Sequence, residues 1–479
     1  MGNSTRPPGS RARRGRARNS TGGSSGAQTL RSDSLTDLGN ALRLVQRHGR
    51  DLRYVHALGR WLVWNGRRWE FDEMGEVFRR AKGTVMSIYS EAAREPDRER
   101  RERIAVHAKH SESERSIKAM IKLAESEASI ALHQEALDRD QYLLNLGNGT
   151  LELRAVELRL HKREDMITKV IPVDFVAETQ APRWADFLET VLPDPDVRAF
   201  VQRAVGYSLT GSTVEQVLFF AWGSGANGKS TFLETLRAAL GDYALHTPAD
   251  TLLTHRDTGI PNDVARLRGA RFISAVETEE GKRLAESRVK QLTGGDKISA
   301  RYMRAEWFEF EPVGKLWLAT NHRPEVRGTD NAIWRRIRLI PFNVTIPESD
   351  RDPNLREKLL GELPGIVAWA VEGCRLWQRD GLQAPPVIQA AISEYRDGED
   401  VLAAFLDECC VIDSQRLVGA MELYGRYTDW CSENGEDTLS HRRFGEQLSE
   451  RGFRVEKRGT ARRKHRLGLD LRESPKAPP

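Results

Sequence analysis

The sequence predicts an α/β protein built on a parallel sheet, with an α+β domain before it and a small helical unit carrying a basic β-wing after it. Three observations predict this. Apolar, strand-like runs alternate with amphipathic helical stretches between residues 214 and 320. A glycine-rich loop at residues 223–230 joins the first of those strands to the first of those helices. Residues 401–479 read as two helices followed by an alternating basic pattern.

The chain has 479 residues, too many for one hydrophobic core. Apolar residues make up 39% and charged residues 30%, with a mean hydropathy of −0.55, which fits water-soluble domains. No apolar run reaches the roughly 18 residues that a bilayer span needs, and the polar, Arg-rich N-terminus lacks the apolar stretch of a secretory signal. The four cysteines, Cys374, Cys409, Cys410 and Cys431, have no zinc-ligand spacing, so reduced thiols are expected and a zinc ribbon is not. The formal charge of +5 is uneven: residues 1–32 carry seven Arg and no acid, which leaves the remainder slightly acidic. Arg-rich ends attract phosphate backbones, an attraction that weakens with salt.

In chain order, residues 1–33 lack the apolar side chains that offset ordering entropy, and they read either as a solubilising tail or as a nucleic-acid arm. Residues 34–180 read as the α+β domain. Trp61, Trp64 and Trp69 surround Asn65-Gly66, a hairpin turn signal, and core packing is the favoured use of these rings over base stacking. A helix is expected over 112–138, and strand–turn–strand around Asn148-Gly149. Residues 181–345 form the α/β core. Two leading helices open at Pro182 and end near Leu209; strands follow at 214–222, 272–276 and 316–320, and helices at 229–240 and 284–292. Residues 346–400 read as a helical connector punctuated by Pro364, Pro385 and Pro386. In 401–479, a helix around Glu422–Trp430 precedes a second one that Ser440 can cap. Residues 454–466 then hold seven Lys or Arg against one Glu. That is a winged-helix-like layout. Arg442, Arg443, Arg462, Arg463 and Lys464 are its candidate DNA contacts, the plain alternative being a soluble basic loop.

The chemistry centres on Gly223, Ser224, Gly225, Ala226, Asn227, Gly228, Lys229 and Ser230, followed by Thr231, which fit G-x-x-x-x-G-K-[ST] between a strand and a helix. Glycines let backbone N–H groups converge on phosphate oxygens, and the helix N-terminus adds positive potential there. Lys229 would reach the β/γ-phosphates and the Ser230 hydroxyl a Mg²⁺ ion. A second strand ends in acids. If it persists, Glu277 and Glu279 share one face; Glu277 is then assigned to the metal and Glu279 to polarising water, with Glu280 in reserve. A third strand ends at Asn321, placed to meet the γ-phosphate or the attacking water. Arg335 and Arg336 precede a further apolar strand. An arginine supplied across a subunit interface is worth about 10³–10⁵ in rate.

The ordered set Gly225–Thr231, Lys290 to Asp296, Ala300-Arg301, Ala319-Thr320-Asn321 and Arg335-Arg336 to Phe342 resembles superfamily 3 helicases, and more narrowly the C-terminal helicase module of phage, plasmid and poxvirus primase-helicases. The likeness runs over roughly residues 35–470 and includes Asp37–Asn40 and Asn148–Leu151. It implies an AAA+-like phosphate-loop NTPase core, ATP with Mg²⁺, and homo-oligomeric rings, hexamers above all. Asn321 takes the sensor role and Arg336 best fits the finger. A β-hairpin at residues 298–312 would enter the ring channel with Arg301, Met303, Arg304 and Trp307 near its tip. Arg301 reads as a DNA contact or an intersubunit salt bridge. The expectation is an ATP-dependent DNA helicase of a phage or mobile element in a bacterial cytoplasm. It would hold single-stranded DNA in the channel and duplex or fork DNA at the C-terminal domain. The alternatives are an ATP-binding replication initiator without unwinding activity and another phosphate-loop DNA motor. No zinc motif or acidic metal cluster precedes residue 180, so primase chemistry is not expected of these residues.

Overall fold

The computed structural model describes residues 34–254, 262–277, 279, 281–301, 307–326, 331–458 and 462–472. They fall into two compact units.

The first unit comprises Phe71–Leu132 and the described residues up to Val63. Its helices begin where the sequence offers a side-chain acceptor. Thr36 caps Asp37–His48, Asp97 caps Arg98–Ser111 and Ser113 caps Glu114–Ala124. Helix Glu76–Arg94 buries Val77, Ala81, Val85 and Ile88, a stripe at the helical period. The helix expected over 112–138 stops at Ala124, because the apolar spacing ends there and residues 125–129 turn back. Asn40 is buried and satisfied, its amide donating to Ser111 Oγ at 2.9 Å and its oxygen meeting His107 Nε2 at 3.0 Å.

The second unit comprises Trp64–Glu70 and the residues from His133 onward. Trp64 and Trp69 are buried, their rings 5.8 Å apart, and the Trp69 indole N–H donates to the Arg163 carbonyl at 2.9 Å. The rings are packing groups, as favoured, and Asn65-Gly66 makes the expected turn, with Gly66 at φ 99°. Strands Leu143–Leu146, Gly149–Glu152 and Glu157–Arg159 form an antiparallel sheet. Their Leu144, Leu146 and Leu151 pack into the same core as the central sheet. Arg271, fully buried, donates to the carbonyls of Leu143 (2.9 Å) and Leu209 (2.7 Å). The domain border drawn at 180 thus crosses a continuous core.

The central sheet is parallel throughout, in the order Ile337–Pro341, Leu218–Trp222, Lys315–Thr320, Phe272–Glu277, Ala244–His246. Helices cover both faces, which is why the strands read as continuous apolar runs. Phe219, Ala221, Trp317 and Ala319 face helices Lys229–Leu240, Pro195–Leu209 and Leu363–Asp380. Leu218, Phe220, Leu316 and Leu318 pack with Val289, Ile333 and Tyr395. Helices Pro195–Leu209 and Leu363–Asp380 touch at Gly206 and Gly373, where a Cβ on either would overlap the opposing backbone. The first core strand starts at Leu218 rather than 214, since residues 213–216 form a turn with Gln216 at φ 51°. The edge strand Ala244–His246 was not expected.

The C-terminal part runs helix Val401–Cys409, strand Cys410–Gly419, helices Ala420–Asn434 and His441–Glu450, then strands Val455–Arg458 and Arg463–Leu471. Phe405, Tyr427, Trp430 and Phe444 fill its core beneath an antiparallel sheet, as a winged-helix-like fold requires. The four cysteines are buried and unpaired. Among the described residues no helix is long and apolar enough to cross a membrane.

Candidate nucleotide site

Strand Leu218–Trp222 delivers the chain to the C-terminal edge of the sheet, where residues 223–228 turn it into helix Lys229–Leu240. The turn needs left-handed backbone at Gly225 (φ 103°), Ala226 (φ 50°) and Gly228 (φ 83°). Gly228 is also confined: a Cβ there would overlap Val191 and press on Phe187. Ala226 is held in place by its carbonyl, which accepts from Ile346 N at 2.9 Å. Lys229 is buried, and its ammonium donates to Gly223 O (2.5 Å), Asn227 Oδ1 (3.0 Å) and Asn321 Oδ1 (3.2 Å). Burial pulls its pKa down to about 8.

Strand register sets the remaining groups in a row. Trp222 pairs with Thr320, and Thr320 with Glu277, so the phosphate loop, Asn321 and Glu277 stand at the same end of three adjacent strands. Glu277 is buried and accepts from Glu279 N at 2.6 Å. The strand stops at Glu277, so the condition for two acids on one face is not met. Glu279 is exposed and paired with Lys282 at 2.8 Å, which holds its carboxyl below the usual range. Glu280 lies outside the described residues. Ser230 is exposed on the first helical turn. A hydroxyl and a carboxylate are the hard oxygen donors that Mg²⁺ takes, so Ser230 and Glu277 fit the ion.

Arg336, expected as the finger, is buried in its own chain. Its guanidinium donates to Thr293 Oγ1 (3.1 Å), Ala332 O (2.5 Å) and Gln216 Oε1 (3.4 Å). Arg335 is the exposed member, with one N–H on Gln216 Oε1 at 2.7 Å. Both precede strand Ile337–Pro341, whose other end adjoins the phosphate loop. At about 3.3 Å per residue that strand separates them from their own loop by roughly 16 Å. An arginine placed there stands away from the loop of its own chain.

The hairpin expected at 298–312 is present: Ile298–Ala300 pairs antiparallel with Phe308–Phe310. Arg301 lies 5.1 Å over the half-exposed Trp307 ring. Arg304, like Tyr302 and Met303, lies outside the described residues. In the C-terminal domain Arg443, Arg462, Arg463 and Lys464 are exposed, and Arg442 pairs with Glu446 at 2.9 Å. Two residues near the loop escaped sequence reasoning. One is Asn227 as a bridging amide. The other is Arg323, whose guanidinium lies 4.2 Å over the Trp222 ring and pairs with Glu394 at 3.1 Å. Neither residue type at those positions carries a sequence signal.

A parallel five-stranded sheet with this loop, carboxylate and asparagine at adjacent strand ends is a phosphate-loop NTPase-like core, consistent with nucleotide binding. Comparison with known proteins sharpens the class. Family models match residues 41–193 as "D5 N terminal like", 221–336 as a family of unknown function (DUF5906) and 398–463 as "Poxvirus D5 protein-like". The chain is 29% identical over 326 residues, 62% of its length, to a protein of Acanthamoeba polyphaga mimivirus named as a helicase. It is 27% identical over 271 residues (52%) to a protein of Frog virus 3 named as a helicase. To a protein of African swine fever virus named as a primase it is 23% identical over 334 residues (63%). The matched stretches cover 34%, 28% and 34% of those relatives, so the chain spans about a third of their length. Among solved structures it is similar to the apo NrS-1 C terminal region, at 8% identity and a TM-score of 0.49 over 91% of this chain and 99% of that one. The chain has a D5-like, superfamily 3 type primase-helicase domain architecture, shared with proteins of large DNA viruses named as helicases and primases. The expected bacterial host cytoplasm is overturned: these relatives belong to large DNA viruses of eukaryotic hosts. Composition and motif chemistry record the reaction and not the host.

Proposed function

We propose that the chain is an ATP-driven DNA motor of replication, a helicase that works as a ring. The observation that carries this reading is the contact of Lys229 with Asn321, with Glu277 at the end of the next strand. A cation for phosphates, a carboxylate beside them and an amide able to meet the attacking water thus stand within one row. Backbone N–H groups of the loop and Lys229 hold the triphosphate, and Asn321 orients the water against it. Mg²⁺, held by Ser230 and Glu277, would neutralise phosphate charge. Arg335, with Arg336 fixing the turn beneath it, completes the site of the adjacent subunit. The hairpin bearing Arg301 and Trp307 supplies a guanidinium for phosphates and a ring for bases. The basic C-terminal wing grips duplex or fork DNA.

The test is ATP hydrolysis with and without DNA, together with strand separation on a forked duplex. Wild-type protein is expected to do both, and Lys229→Ala neither while still binding DNA. Wild-type turnover by Lys229→Ala, or a wild-type protein that never parts the strands, would end this reading.

A further inference from the structure

The loop position before Gly228 is filled by an asparagine whose side chain is 3% exposed and whose two polar atoms are both engaged. Its Oδ1 accepts from Lys229 Nζ at 3.0 Å, and its Nδ2 donates to Phe342 O at 2.9 Å. The orientation is fixed by chemistry, since an ammonium can only donate and a carbonyl only accept. Asn227 therefore joins the lysine to the chain just beyond strand Ile337–Pro341. Lys229 is left with three acceptors: Gly223 O, Asn227 Oδ1 and Asn321 Oδ1. These are the number and kind of contacts that phosphate oxygens would offer it.

We propose that Asn227 is a positioning residue that competes with nucleotide phosphate for the Lys229 ammonium while anchoring the loop to Phe342. Its oxygen holds the lysine in place in the free protein and yields it to the triphosphate. Its amide N–H stays on the Phe342 carbonyl throughout, so the loop keeps its shape as the lysine moves. The same exchange frees Asn321 to turn to the γ-phosphate and the water. This rests on the nucleotide reading of the loop.

Two substitutions at this position separate the two halves of the amide. Asn227→Ala removes the competing acceptor and the anchor, so nucleotide affinity rises by up to about tenfold, one charge-assisted hydrogen bond's worth, while kcat falls. Asn227→Asp keeps an acceptor, now anionic, and cannot donate to Phe342; affinity falls by about tenfold or more, because the carboxylate holds the ammonium and repels phosphate. The measurement is calorimetric titration with Mg-ADP, plus steady-state KM and kcat for ATP, on proteins whose near-ultraviolet circular dichroism matches wild type. Opposite shifts in affinity support the proposal. A parallel loss of affinity in both variants, as a merely structural role would give, overturns it, and so does no change in either. Lys229→Ala serves as the control. If it binds Mg-ADP like wild type, the nucleotide reading itself fails. If it does not bind, and the two Asn227 variants shift together, only this inference fails.

Discussion

Substituting Arg335 and Arg336 separately distinguishes an arginine that holds its own chain from one offered outward. Arg336 is 7% exposed and donates inside the chain to Thr293, Ala332 and Gln216. Hydrogen bonds to a charged group contribute about 1.5–3 kcal/mol each, and the partners left behind regain only part of that from water. Arg336→Ala is therefore expected to cost about 3 kcal/mol, which in a domain of roughly 200 residues lowers Tm by about 6–12 °C. Arg335 is exposed, so Arg335→Ala should stay within about 0.5 kcal/mol of wild type. Its effect belongs to turnover, a loss of about 10³-fold or more if its guanidinium stabilises transition-state charge in a neighbour. Mixing Arg335→Ala subunits with Lys229→Ala subunits restores turnover at interfaces that combine an intact loop with an intact arginine. Scanning calorimetry and ATP turnover across a mixing series read both effects. The reasoning is refuted by the reverse pattern: Arg336→Ala with unchanged Tm and no turnover, and Arg335→Ala fully active.

Further outcomes can be checked singly. Glu277→Gln should retain Mg-ADP binding and lose hydrolysis by about 10²-fold or more; full activity removes Glu277 from the site. Replacing Arg462, Arg463 and Lys464 with alanine should flatten the salt dependence of duplex binding by about 2–3 units of log–log slope, and an unchanged slope takes the wing off the DNA. Trp317→Ala empties a site where the ring is fully buried, 4.4 Å from Phe219, and should cost about 3–5 kcal/mol in denaturant titration. With the Lys229 pKa near 8, raising the pH through that value discharges the free protein's ammonium, so nucleotide affinity should decline between pH 7 and 9.5. A flat profile would show that the lysine stays charged.

Much of the site was legible because its chemistry is local in sequence. The loop, Asn321 and the hairpin at 298–312 are each set by short patterns, and their order along the chain supplied the rest. What was not legible depends on neighbours distant in sequence. The choice between Arg335 and Arg336 turns on Thr293 and Gln216, which no spacing rule connects to them. Glu279 was grouped with Glu277 on the premise of a continuing strand, whereas the strand runs Phe272–Glu277 and Glu279 pairs with Lys282. Strand Ala244–His246 has three residues on a sheet edge and no alternation to display. Helix Glu76–Arg94 was not expected, although Val77, Ala81, Val85 and Ile88 make a stripe at the helical period. Helix Arg98–Ser111 buries only Ile104, Ala108 and Ser111, and so resembles a solvated charged segment.

Two buried cations, Arg271 just before strand Phe272–Glu277 and Lys315 at the start of strand Lys315–Thr320, have a practical corollary. Arg271 takes carbonyls from Leu143 and Asp140, and Lys315 takes those of Ser212 and Val313, both inside the protein. Trimming the chain before residue 181 would strip Arg271 of two of its acceptors and uncover the leucines of the preceding sheet. A fragment that keeps this core therefore begins upstream of Asp140, and one cut at residue 181 should melt at a lower temperature than the whole chain.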